Sequence, residues 1–169
     1  AQGVAVNEYL QSVSNPRVYA IGDCADTPYK LAPVADEEGK TAAHNILHGN
    51  LRVIDYSIAP SAVFTLPNLA AVGLTEEEAR RTGVDFQVRQ GDPTRWASSK
   101  RVGERHAAYK VLVDPETDEI LGAHLVRKDA AETINLFALA MRRHVKASEL
   151  ANCLWSYPTL ASDIKYMVR

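Results

Sequence analysis

One stretch restricts the fold more than any other. The run Tyr109, Val111, Val113 alternates with polar residues, the cluster Asp114-Pro115-Glu116-Thr117-Asp118 breaks it, and a second apolar run follows from Ile120 to Val126. Alternation places side chains on opposite faces of a strand, and the Asp/Pro-rich break reverses the chain, so these residues predict a hairpin. Directly after it, Ile134, Phe137, Ala138 and Met141 recur at helical spacing. That period predicts an amphipathic helix, and Arg142, Arg143 and His144 suit its negative end. A hairpin and a helix with apolar faces must bury them against other layers, which points to an α+β arrangement of an antiparallel sheet with packed helices.

Upstream, Val63-Phe64-Thr65-Leu66 and Ala70-Ala71-Val72-Gly73-Leu74 read as short strands separated by Pro67-Asn68. Thr75 and Glu78 have the spacing of a capping box, and the helix they open should stop at Gly83. Val84, Phe86 and Val88 alternate as a half-buried strand would. Residues 92–105 are mostly polar, carry Trp96 and are expected to form an extended excursion or paired ribbon outside the core. Downstream, a short helix is predicted around Ser148 to Leu154, and a last one opens at Thr159.

The N-terminal third reads differently. Val18-Tyr19-Ala20-Ile21 predicts a buried strand ending at Gly22-Asp23. Pro33 suits the first turn of a helix, where its missing N–H would have no partner. Asp36, Glu37 and Glu38 favour the positive end of that helix, which should run to about His48 and stop at Gly49. With Leu51 to Pro60 as connector, the expected organisation is one domain over 1–50 and a second over 51–169. The chain opens on Ala1 rather than methionine, which makes truncation or processing an expectation.

The 19 basic and 21 acidic side chains leave a net charge of −2, so no basic surface is available to neutralise phosphates, and nucleic acid is excluded as a partner. No apolar run approaches the roughly 20 residues of a membrane span, and the first residues lack the blocks of a signal peptide; a cytoplasmic location is expected. Cys24 and Cys153 are too few and too distant for a disulfide framework, and both read as small buried apolar neighbours. His44 and His48 have the i, i+4 spacing of metal ligands but no Glu follows His44 and no third ligand is near in sequence, so no metal is expected. His124 reads as structural.

Val18-Tyr19-Ala20-Ile21-Gly22-Asp23-Cys24, with Leu31-Ala32-Pro33-Val34-Ala35 and Gly39 after it, resembles the second flavin-binding fingerprint of the pyridine nucleotide-disulfide oxidoreductases, the family of glutathione reductase, dihydrolipoamide dehydrogenase and mercuric reductase. Val63-Phe64-Thr65, Val72 to Ala79, Ile120 to His124 and Tyr157-Pro158-Thr159-Leu160 resemble that family's C-terminal dimerisation domain, in the same order. The likeness covers nearly all 169 residues. It implies the tail of an α/β FAD-binding domain over 1–50, a dimerisation domain over 51–169, and a homodimer in which the C-terminal segment reaches the partner's active site. It further implies a full-length parent that is an oxidoreductase using FAD and NAD or NADP, the nicotinamide binding outside this segment, and passing electrons to a disulfide or other small acceptor. Gly22 and Asp23 are the residues carried over for the flavin's ribityl chain, Leu31 and Ala32 for backbone contact with its ring. Leu31-Ala32-Pro33-Val34 is closer to the glutathione-reductase branch than to the lipoamide branch.

The sequence departs from the family at the acid–base pair. The family's His-Pro-Thr-x-x-Glu reads Tyr157-Pro158-Thr159-Leu160-Ala161-Ser162 here. An ordinary tyrosine titrates near ~10 and an ordinary histidine near ~6.5, so Tyr157 cannot inherit a neutral-pH proton shuttle. Its remaining roles are hydrogen-bond donation to a substrate or to the flavin-side thiol, or packing at a dimer interface. Asp163 lies one residue beyond the orienting position, which turns it about 100° away around a helix. Neither Gly-x-Gly-x-x-Gly nor Cys-x4-Cys occurs. The segment alone is therefore expected to be inactive and to bind FAD weakly, with two alternatives: a stand-alone, non-catalytic association module, or part of a flavoprotein that reduces a non-disulfide acceptor.

Overall fold

The computed structural model describes residues 3–169 and divides into two compact units, one ending at Ala59 and the other spanning Pro60–Arg169. In the first unit, helix α1 spans Ala32–His48, with Pro33 in its first turn and Gly49, at φ 86°, closing its C-terminus. The Val18–Ile21 segment forms no sheet strand. It makes an isolated antiparallel bridge between Gln11 and Tyr19, and Val18 and Ile21 are exposed while only Ala20 is buried. The four-residue apolar run predicts a strand, but among the described residues no sheet strand lies beside it.

Glu38 also departs from expectation. Instead of sitting on the exposed positive end of α1, it is fully buried and accepts hydrogen bonds from Gly22 N (2.5 Å) and the Tyr56 hydroxyl (2.8 Å). Asn45, equally buried, donates to the Tyr9 and Arg52 carbonyls and accepts from the Leu51 and Arg52 amides. These two side chains satisfy backbone groups that would otherwise lie unpaired. They tie residues 51–56 back onto α1, so the connector packs with the first unit and the division falls at Ala59 rather than at Asn50.

The second unit is a five-stranded antiparallel sheet with helices against it. Its strands are β1 (Ser61–Val63), β2 (Asn68–Gly73), β3 (Gln87–Gly91), β4 (Ala108–Val113) and β5 (Ile120–Arg127), ordered β1-β2-β5-β4-β3. The hairpin β4–β5 turns over Asp114, whose carboxylate accepts from the Glu116 and Thr117 amides. Ala70 faces Leu125, and Val72 and Val111 flank Ala123; all five are buried. Helix α4 (Ala130–Arg142) lies against β1, β2 and β5 and contributes Ile134 and Phe137 to this core. Gly122 is required by a close approach: a Cβ there would come within 2.1 Å of the Leu74 carbonyl oxygen.

Helix α2 (Glu76–Thr82) opens with the expected capping box, Thr75 Oγ1 accepting from Glu78 N (3.1 Å) and Glu78 Oε2 accepting from Thr75 N (2.9 Å). Hydrogen bonds from the Thr75 backbone and hydroxyl hold the Glu78 carboxyl below its usual range. A carboxyl depressed in the folded state adds stability above its unfolded value, and this is lost as pH falls through the folded value. Thr75→Ala should therefore destabilise by about 1 kcal/mol at neutral pH. In urea titrations that difference should shrink as pH falls through the depressed folded value of Glu78, below the usual glutamate range; a pH-independent difference would contradict the reciprocal cap.

Several strands and turns are displaced from their expected positions. Phe64 and Leu66 lie beyond β1 and are exposed, Leu66 to 99%. β3 begins at Gln87, leaving Val84 and Phe86 outside it. Residues 92–105 are not a ribbon: a 3-10 turn at Pro93–Arg95 leads into α3 (Ala97–Arg101), and Ser98, Ser99 and Glu104 are buried. Helix α5 covers Ala147–Asn152, so Cys153 caps it rather than sitting on it; Cys153 is exposed and Leu154 fully so. The last helix is a 3-10 turn at Ala161–Asp163 followed by α6 (Ile164–Met167). Among the described residues no helix is long and apolar enough to cross a membrane.

Candidate functional sites

In the first unit, Gly22 and Asp23 lie in a 3-10 turn, Gly22–Cys24, that packs on the opening turns of α1. Gly22 adopts φ 62°, a left-handed conformation that favours glycine, and a Cβ there would sit 3.3 Å from Ala35 Cβ. Both features bring the turn close to the helix. Leu31, the N-cap, supplies no side-chain acceptor, Pro33 has no N–H and Ala35 N donates to the Leu31 carbonyl, so the uncapped first-turn donors of α1 are the Ala32 and Val34 N–H groups. The Asp23 carboxylate is exposed and has no hydrogen-bond partner among the described residues. Four residues nominated from sequence, Gly22, Asp23, Leu31 and Ala32, thus lie at one end of α1. Uncapped donors, the positive end of a 17-residue helix and a free carboxylate acceptor suit a ligand with an electron-rich ring and hydroxyl groups.

Cys24 is exposed rather than buried, its thiol donating to the Ile21 carbonyl at 3.1 Å; the buried neighbour is Ala25. Tyr56, held by Glu38, has its hydroxyl pushed well above the usual tyrosine range by burial and by that hydrogen bond. The His44 and His48 rings lie 4.8 Å apart, and partial desolvation, Arg52 and His48 lower His44. No cluster of three or more His, Cys, Asp or Glu side chains suited to a metal occurs among the described residues.

In the second unit, Tyr157 precedes Pro158 through a cis peptide bond and is 62% exposed. Ser162 is buried and turned back on its own helix start: its hydroxyl donates to the Thr159 carbonyl at 2.6 Å, and its amide donates to Thr159 Oγ1 at 3.1 Å. Ser162 therefore does not reach residue 157. Asp163 is committed elsewhere, accepting from Ser98 Oγ (2.5 Å) and Arg127 Nη2 (2.9 Å). Among the described residues no carboxylate is bonded to Tyr157. His124 does serve structure, its Nε2 lying 3.0 Å from the Leu74 carbonyl oxygen.

Sequence reasoning missed the centre that organises Asp163. Arg127 is fully buried and surrounded by Asp163, Glu104 (3.7 Å) and Asp129 (3.1 Å), with Ser99 Oγ at 3.5 Å from Nη2. Glu104 in turn accepts from Ser99 Oγ and from the Lys128 amide. Burial raises the Asp129 carboxyl, with Arg127 opposing the shift. The one available signal was a lone arginine ending an apolar strand.

A family model described as "Pyridine nucleotide-disulphide oxidoreductase, dimerisation domain" matches residues 59–168. The chain belongs to this family. Within the family, it is 49% identical over 167 residues to an uncharacterised 19.7 kDa protein in the mercuric resistance operon of Staphylococcus aureus, covering 98% of this chain and 93% of that one. It is 33% identical over 162 residues to the mitochondrial dihydrolipoyl dehydrogenase of Pisum sativum, covering 96% of this chain and 32% of that one. The crystal structure of LpdA from Mycobacterium tuberculosis superposes with a TM-score of 0.84 at 26% identity, over 98% of this chain and 36% of that one. The chain thus spans about a third of the dehydrogenases it matches and almost the whole of the staphylococcal protein. The antiparallel sheet with packed helices is the family's dimerisation domain, and the oxidoreductase, flavoprotein character expected from sequence is that of the family.

Proposed function

We propose that this chain supplies the dimerisation domain and one edge of the flavin site of an FAD-dependent, NAD(P)H-using oxidoreductase, without carrying the acid–base step itself. The observation that supports this most directly is Ser162 bonded back to Thr159 with Asp163 held by Arg127, which leaves Tyr157 without an orienting carboxylate. Asp23 would accept hydrogen bonds from the ribityl hydroxyls, and the Leu31–Ala32 end of α1 would face its donors toward the flavin ring. FAD supplies the two-electron carrier between nicotinamide and acceptor. Self-association would bury apolar side chains now exposed, Phe64, Leu66 and Leu154 among them, giving a homodimer in the cytoplasm. The acceptor is a disulfide or another small molecule.

A second reading is favoured by the length match to the 19.7 kDa staphylococcal protein. In it the chain is an association module that pairs with itself or with a full-length family member. The two readings share dimerisation and differ in flavin.

Sedimentation of the purified chain should give twice its 18.5 kDa mass. Titration with FAD, followed by flavin fluorescence, should show no submicromolar binding, since the chain contains no dinucleotide-binding Gly-x-Gly-x-x-Gly loop to hold the pyrophosphate. A monomer would overturn the dimerisation role. A yellow, tightly flavin-loaded chain would overturn the prediction of weak binding.

A further inference from the structure

Arg127, at the end of β5, is surrounded by more negative charge than it can balance. Fully buried, it faces Glu104, Asp129 and Asp163. Two of these acids are well supplied with donors in the ionised form. Asp163 accepts from Ser98 Oγ at 2.5 Å and from Arg127 Nη2 at 2.9 Å, and Glu104 accepts from Ser99 Oγ at 2.9 Å and from the Lys128 amide at 2.6 Å. Asp129 is placed differently. Its Oδ1 lies 3.1 Å from Arg127 Nε, but the pair is too poorly aligned to hydrogen bond, and neither atom has another hydrogen-bond partner among the described residues. Its Oδ2 lies 2.9 Å from Thr133 Oγ1, a hydroxyl that can accept a hydrogen bond as well as donate one.

Three anions on one buried cation leave an excess of charge, which is removed most easily at the carboxyl with the fewest donors. Asp129 is that carboxyl. Its side chain is also 24% exposed, against 1% for Glu104 and 3% for Asp163, so it alone of the three is open to solvent protons. We propose that Asp129 is the proton-exchanging member of this cluster, and that its proton decides how firmly Arg127 holds α3 and the Ala161–Asp163 turn to the sheet. A proton taken from solvent onto Oδ2 is donated to Thr133 Oγ1, while Oδ1 stays toward Arg127. The guanidinium then serves Glu104 and Asp163, which bind the Ser99 and Ser98 hydroxyls of α3. When the proton leaves, a third anion draws on the same cation and the latch loosens.

The surrounding groups fix the direction. Burial raises the Asp129 carboxyl most and Glu104 adds to the rise, while Arg127 and the Thr133 hydrogen bond oppose it; the net result lies above the usual aspartate range. The positive end of α4 also opposes it. Lys128, Arg105 and His106 are exposed and line a depression with Glu104, and Glu132 in the first turn of α4 is exposed. A carboxyl raised in the folded state adds stability that is complete below its unfolded value and is lost as pH rises through its folded value. The latch is therefore tighter in mild acid than at neutral pH.

The device needs no flavin, so it stands or falls apart from the function proposed above. Its test is the side-chain 13Cγ titration of Asp129 in the intact chain, assigned through its own backbone. The midpoint should lie above the ordinary aspartate value of ~3.9, with Glu104 and Asp163 ionised throughout that step. A midpoint at or below the ordinary value, or Glu104 or Asp163 titrating in the same step, would overturn the proposal. The second measurement compares the parent with Asp129→Asn, whose side-chain amide reproduces the protonated acid with its carbonyl toward Arg127 and its N–H toward Thr133. Amide exchange is followed at Glu104, which donates to the Ser99 carbonyl, and at Lys128, which donates to Glu104. At neutral pH the variant should be at least about threefold better protected than the parent, and near the ordinary aspartate value the two should agree. Equal or weaker protection in the variant at neutral pH would show that the proton does not govern the latch. Should the variant fold poorly, the parent's titration still decides.

Discussion

Arg127→Met is expected to lower the stability of the second unit by about 3–5 kcal/mol, the largest effect of any single substitution considered for this chain. The reason lies in the arithmetic of the cluster. One guanidinium, fully buried, faces three carboxylates, two of which, Glu104 and Asp163, are themselves almost inaccessible. Removing the cation leaves those acids in a low-dielectric core, bonded to serine hydroxyls and a backbone amide but with nothing to balance their charge. Burial already raises Asp129, and Arg127 is what holds that shift down. Without it the carboxyl rises further, and a group raised in the folded state loses its contribution as pH climbs through its folded value. The deficit should therefore be larger at neutral pH than at a pH near the ordinary carboxylate value, the reverse of ordinary acid unfolding. Urea titrations at the two pH values check this. The double variant Arg127→Met, Asp163→Asn should recover part of the loss, because one stranded charge is gone. A single variant with wild-type stability at pH 7 would mean that the cluster is solvated in a way its burial contradicts.

Gly122→Ala should cost about 3 kcal/mol, through backbone collision rather than lost contacts. The added methyl would lie 2.1 Å from the Leu74 carbonyl oxygen, and no side-chain rotation can relieve a clash with backbone. Relief would require β2 and β5 to part at Gly73–Gly122, breaking the 2.8 Å bond from the Leu74 amide to the Leu121 carbonyl. The same shift moves the Leu74 carbonyl away from His124 Nε2 and disturbs the entry to α2 at Thr75. Amide exchange should show protection falling first around Leu74 and Leu121 and less in β3. Thermal melts of Gly122→Ala within a degree of the parent would show that the strands separate at no cost.

What the sequence made legible follows the range of the forces involved. The capping box at Thr75–Glu78, the turn at Asp114 and the helix through Phe137 depend on residues a few positions apart, and all were readable. Residues 92–105 were not. Their serines and Glu104 resemble a solvated surface until Arg127 and Asp163, more than twenty and more than fifty positions away, are placed against them. Exposure at Cys24 was missed by a single residue, since Ala25 takes the buried place in the turn. At the sites the contrast repeats. Tyr157 and Ser162 could be nominated because they occupy a motif of adjacent residues. Trp96 and Tyr166, seventy positions apart, bring their rings to 5.4 Å between centroids, which no spacing rule reports.

The strand order carries one more consequence. β1, at one border of the sheet, is three residues long and is followed by Pro67, and β3, at the other, carries Gln87, Arg89 and Gln90. A border that brief, or that polar, offers little for another chain's backbone to zip onto. The borders of the sheet thus leave little room for backbone pairing with another copy, so recognition between copies of this chain would rest on side-chain contacts elsewhere on its surface.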